Sequence, residues 1–145
     1  VTSNAERQLP DAFLRRCVYF YIHFPRHDEL VRILRDRIDP TTLGSGWDLD
    51  ATAQQTFLED SVTVVEALRQ PALKLVKRPG TAEIIGWVRT LGQLYERSAA
   101  EKLAAAAQAL KNQKGVAWNK LPGLHCLVKL KEDLDALDKA SPKTA

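Results

Sequence analysis

Two pairs of adjacent cations, Arg15-Arg16 and Lys77-Arg78, are the residues best placed for chemistry in this chain. The second pair stands in Lys77-Arg78-Pro79-Gly80-Thr81, a basic turn that opens a helical pattern. Cations beside a helix N-terminus, where backbone N–H groups point outward, suit a phosphate. Asn4, in the opening Val1-Thr2-Ser3-Asn4, is an uncharged donor and acceptor that can turn the chain or orient a water. His23, His27 and His125 are scattered, and His125 and Cys126 point apart on a helix, so no metal site is expected. There is no GxxxxGK[ST], HExxH, CxxC or GxSxG pattern. Gly44-Ser45-Gly46, followed by Trp47, reads as a flexible loop. Trp47, Trp87 and Trp118 read as core or interface anchors rather than base-stacking platforms.

These residues need elements to position them. Pro10 suits a first helical turn, and Leu9, Phe13 and Leu14 make a short amphipathic helix ending near Arg16. Cys17 to Phe24 is β-branched and aromatic and is bounded by Pro25; it reads as the only strand. From there the pattern is helical. Leu30, Val31, Ile33, Leu34 and Ile38 form one face across 27–38, with acids first and arginines last as the helix dipole prefers. Residues 40–48 are a loop. A helix near 50–70 should bury Phe57, Leu58, Val62, Val65 and Leu68, although its β-branched run costs a few tenths of a kcal/mol per residue. Thr81 is placed to cap a helix over 80–95 whose stripe is Ile84, Ile85, Val88, Leu91 and Tyr95. An Ala-rich helix should run from Ser98 to Leu110 and end by Gly115. A closing helix is expected over Leu124 to Lys139, with Leu127, Val128, Leu130, Leu134 and Leu137 inward. Ser141 to Ala145 reads as a frayed tail.

A length of 145 residues suits one domain or slightly less. The 45% apolar and 27% charged content is an ordinary globular balance that argues against long disorder. Lys plus Arg total 21 against 18 acids, and the net +3 is too small to indicate a nucleic-acid or membrane surface. No apolar run approaches the roughly 18 residues of a membrane span. Two cysteines make no disulfide framework and fit a reducing, cytoplasmic compartment.

The ordered series Asn4, then Leu9-Pro10-Asp11-Ala12-Phe13-Leu14-Arg15-Arg16-Cys17, then an aromatic strand ending in Phe24-Pro25, resembles the second half of the ATPase core of AAA+ proteins, in their MoxR-type branch. Lys77-Arg78-Pro79-Gly80-Thr81-Ala82-Glu83, with Trp87 and Leu91 behind it, resembles the sensor-2 region of the helical lid, and Leu127 to Leu134 resembles its closing helix. The resemblance implies a mainly α chain. Residues 1–25 would be the C-terminal remnant of the ATPase core, one short helix and one strand. Residues 26–145 would be a lid-type bundle of about five helices.

It also implies roles. Asn4 would be the sensor-1 residue that orients the attacking water. Arg15 or Arg16 would be the arginine finger reaching the γ-phosphate in an adjacent subunit of a ring. Lys77 or Arg78 would bind nucleotide phosphate and report its loss to the lid. The phosphate loop and metal-holding carboxylates would precede Val1 in a longer parent that binds ATP and Mg²⁺ and remodels or assembles partner proteins, in some relatives with a von Willebrand A-domain partner. Residues 1–145 alone should then not hydrolyse ATP. The strand at 18–24 would lose its parental neighbour and pair with another copy of the chain or be displaced. The competing reading is a free-standing helical protein–protein interaction domain without nucleotide, in which Arg15 and Arg16 are surface charges. A basic helical nucleic-acid binder resting on Arg32, Arg35, Arg37, Lys74, Lys77 and Arg78 is weakened by the interspersed acids.

Overall fold

The computed structural model describes residues 12, 15, 16, 18, 20, 22–38, 50–94 and 97–142. Among them are six α-helices: α1 (His27–Arg37), α2 (Ala51–Leu68), α3 (Thr81–Leu94), α4 (Arg97–Lys111), α5 (Leu124–Leu127) and α6 (Lys131–Ala140). Short 3-10 turns occupy Pro71–Leu73 and Trp118–Lys120. The chain is mainly α, as its periodicity demands.

The centre is α2, which packs most extensively against α4 and also meets α1 and α3. Its Val62, Val64, Val65 and Leu68 are fully buried. Burying one such side chain stabilises by about 1.5–3 kcal/mol, which outweighs the few tenths each Val costs in helix propensity. The hydroxyls of Thr56, Ser61 and Thr63 donate to the carbonyls of Thr52, Phe57 and Glu59 at 3.0, 2.8 and 2.9 Å, so these polar residues bond within the helix. Asp50 caps its start by accepting from the Ala53 N–H at 2.8 Å.

On α1, the stripe Leu30, Val31 and Leu34 is buried. The Arg26 N–H donates to Glu29 Oε2 at 3.0 Å, and this bond holds the Glu29 carboxyl below its ordinary pKa. At the other end Arg89 of α3 donates to the Arg37 carbonyl at 2.7 Å, satisfying one of the acceptors a helix C-terminus leaves open. Trp87 is fully buried and its indole N–H donates to the Pro122 carbonyl at 2.8 Å. Gly123 follows at φ +66°, and a Cβ there would lie 3.0 Å from the Trp87 ring, so this turn requires glycine twice over.

Several expectations are corrected. The closing helix is two helices: Val128 and Leu130 are extended, which lets Leu127 and Val128 both enter the core and redirects α6. Gly80, not Thr81, stands at the cap of α3, since the Ile84 N–H bonds to the Gly80 carbonyl at 3.1 Å. The end of α4 is turned by Gln113 at φ +55° rather than by Gly115, with the Lys114 N–H bonded to the Ala109 carbonyl at 2.8 Å. Ser141 is part of the fold: its hydroxyl accepts from the Trp118 N–H at 3.0 Å and donates to the Leu137 carbonyl at 2.9 Å. The described residues of the expected strand are Val18, Phe20 and 22–24, and none has strand structure. No strand exists among the described residues to offer a ladder, and Val18, Phe20 and Ile22 are exposed.

Candidate functional site

The connector between α2 and α3 carries the basic turn. Arg69 is the C-cap of α2, its own N–H bonded to the Val65 carbonyl at 3.0 Å. Pro71 then starts a 3-10 turn, closed by Lys74 in the left-handed region at φ +51°. Leu75 is buried, Val76, Lys77 and Arg78 are exposed, and Pro79 is buried again. Alternation of this kind needs an anchor at each side of the exposed stretch.

Asp133, in the first turn of α6, is one anchor. It is only 1% exposed, and its Oδ1 and Oδ2 accept from the N–H groups of Val76 and Lys77 at 2.7 and 3.1 Å. A carboxylate in this position is charge-assisted on both oxygens. It is committed to backbone, so it leaves the side chains of Lys77 and Arg78 uncompensated. Neither forms an ion pair among the described residues.

Arg69 is the other anchor. Its Nη1 donates to the Pro79 carbonyl, and its guanidinium lies 3.5 Å from the centroid of the Phe24 ring. Burial, and then the neighbouring Arg78 charge, pull the Arg69 pKa below the ordinary arginine value.

Lys77, Arg78 and Pro79 border a shallow depression with Glu83, Leu127 and Lys129. Its volume is about 10 Å³, room for one water at most, so a ligand would lie over it rather than inside. Three cations and the start of the 14-residue α3 favour an anion there. Glu83 opposes it: its Oε2 folds back to within 2.9 Å of where a Cβ on Gly80 would stand. The chemistry available is electrostatic, the orientation of an anion at a surface.

Asn4 lies outside the described residues. Arg15 and Arg16 are exposed and in a turn, with Ala12 helical before them. No hydrogen bond or ion pair links either to Lys77 or Arg78. Sequence reasoning found the basic turn but missed Asp133, Arg69 and Lys129. In the single helix expected over Leu124 to Lys139 Asp133 is an ordinary mid-helix acid, and only its bonds across 56 residues of chain make it an anchor.

A second feature lies between α2 and α4. An open groove of about 390 Å³ is lined by Asp50, Thr56, Phe57, Asp60, Leu103 and Ala104 among others. At its side Asp60, 5% exposed, accepts from Lys111 Nζ at 2.9 Å. Among the described residues no group of three His, Cys, Asp or Glu side chains is arranged to hold a metal ion, and no helix is long and apolar enough to cross a membrane. Comparisons with protein-family models, with curated proteins and with solved structures returned no match for this chain.

Proposed function

We propose that this chain carries the arginine-finger helix and the helical lid of a MoxR-type AAA+ ATPase. Residues 1–25 belong to the ATPase core in this reading and 26–145 to the lid. The parent binds ATP and Mg²⁺, works as a cytoplasmic ring of like subunits, and couples hydrolysis to remodelling or assembly of partner proteins, a von Willebrand A-domain protein among them. Asn4 orients water, Arg15 or Arg16 is the finger, and Lys77 or Arg78 meets nucleotide phosphate. The observation that carries the reading is the basic turn: two exposed, uncompensated cations leading directly into the N-terminus of α3, on a backbone held by buried Asp133. Exposed cations on a backbone held by a buried carboxylate suit a group that must find a phosphate and report its departure.

The test is ATP turnover by the complete parent. Arg15→Ala or Arg16→Ala should lower it by about 10³-fold, the scale of an arginine finger. Lys77→Ala with Arg78→Ala should weaken nucleotide binding by roughly tenfold, the loss of a charge-assisted contact. Unchanged turnover in all these variants, or a gene with no phosphate loop encoded ahead of Val1, overturns the reading.

A second reading, a helical protein–protein interaction domain, is favoured by the open groove between α2 and α4, whose Phe57, Leu103 and Ala104 can receive an apolar side chain. In that case nucleotide has no effect on the protein, and substitutions at the groove rather than at Lys77 and Arg78 abolish its interactions.

A further inference from the structure

We propose that Arg69 is a clasp that couples the entry segment ending at Phe24 to the basic turn at 77–80, two stretches that are remote in sequence. One guanidinium serves both. Its face covers the Phe24 ring at 3.5 Å, and its edge donates to the Pro79 carbonyl. A planar fork is required for this, because the point charge of a lysine cannot stack and bond sideways at once.

The entry is fastened a second time. Glu66, one turn before Arg69 on α2, meets His27 Nδ1 at 2.9 Å, so Phe24 and His27 both rest on the last turn of α2. The Pro79 carbonyl lies between Arg78 and Gly80, so holding it sets the direction in which the turn enters α3. No hydrogen bond joins Phe24 itself to the turn. If the entry segment swings away, the guanidinium loses its cover and its hold on Pro79 loosens. Linkage makes the effect reciprocal: whatever steadies the turn favours Phe24 in its seat. Arg78 adds a counterweight, since its charge bears on Arg69. Arg69 is thus a positioning residue for Lys77 and Arg78. This proposal rests on the geometry of the clasp and not on which ligand, if any, the turn receives.

Amide hydrogen exchange at Val76 and Lys77 reads the turn directly, because both N–H groups are held by Asp133. In the full chain, Arg69→Ala should speed their exchange roughly tenfold, the loss of one charge-assisted bond. Phe24→Leu should speed it about threefold to tenfold although it changes no group in the turn, and Phe24→Tyr, which keeps the ring, should stay within about twofold of the parent. Phe24→Leu should add nothing in the Arg69→Ala background, or in Arg69→Lys if the alanine variant does not fold. Unchanged exchange in Phe24→Leu, equal acceleration in both backgrounds, or acceleration that extends equally to Ala107 in the core each overturns the clasp. Because no nucleotide is present, this outcome is separate from that of the ATP measurement.

Discussion

Two buried carboxylates among the described residues do opposite things. Asp60, at the side of the α2–α4 groove, holds the ammonium of Lys111. Asp133, beneath the basic turn, holds two backbone N–H groups and no cation. Asp133 accepts on both oxygens and Asp60 on its Oδ1, so each buried carboxylate has a hydrogen-bond donor. The difference lies in what is left over. At the groove a positive charge is paired; at the turn two exposed cations stand on a backbone bonded to a buried carboxylate. An uncompensated cation is most useful where its backbone is rigid, which is why the turn, and not the groove, is the candidate for meeting an anion.

Breaking the comparison at its stronger end should have the largest effect. Asp133→Ala removes two charge-assisted bonds and orphans two part-buried N–H groups, and it should destabilise the chain by about 3 kcal/mol in denaturant unfolding. Lys111→Ala leaves the Asp60 carboxylate without its partner, but Lys111 is half exposed and water can enter, so a smaller loss of about 1–2 kcal/mol is expected. Pairing Lys111→Ala with Asp60→Asn should recover most of that loss, whereas Asp133→Asn, which can still accept on only one atom, should recover part of its own.

Relieving the left-handed turn after the helix end that carries Lys111 sharpens the contrast. Gln113 is exposed and held at φ +55°, so Gln113→Gly should raise the unfolding free energy by about 0.5–1 kcal/mol. The smallest effect is expected at the turn's own side chains. Lys77→Ala and Arg78→Ala should each change stability by no more than about 0.5 kcal/mol, because neither is in an ion pair. A loss near that of Asp133→Ala would mean that these cations are structural, and the distinction between the two carboxylates would fall.

Helix content was legible because the apolar period is strong. In the stripes of α1, α2 and α3, Leu30, Val31 and Leu34, Phe57, Leu58, Val62, Val65 and Leu68, and Ile84, Val88 and Leu91 are buried, while Ile33 and Ile85 are half-buried. The closing helix misled because Leu127, Val128, Leu130 and Leu134 also satisfy a helical period, while Val128 and Leu130 gain more by being extended. In the run at 17–24 the described residues, Val18, Phe20 and 22–24, have no strand structure. β-Branched and aromatic residues favour a strand, but a strand exists only with a neighbour to complete its hydrogen bonds.

The amino-acid order alone determined that the chain is mainly helical and that cations precede α3, since these depend on local period and adjacency; it left Trp87 and Trp118 as core or interface anchors, and both are buried. Only the tertiary structure decided that Asp133 grips Val76 and Lys77, that Arg69 joins Phe24 to Pro79, and that Asp60 rather than the turn takes a lysine. Those contacts bridge as many as 57 residues, and no local rule carries the direction in which one helix crosses another.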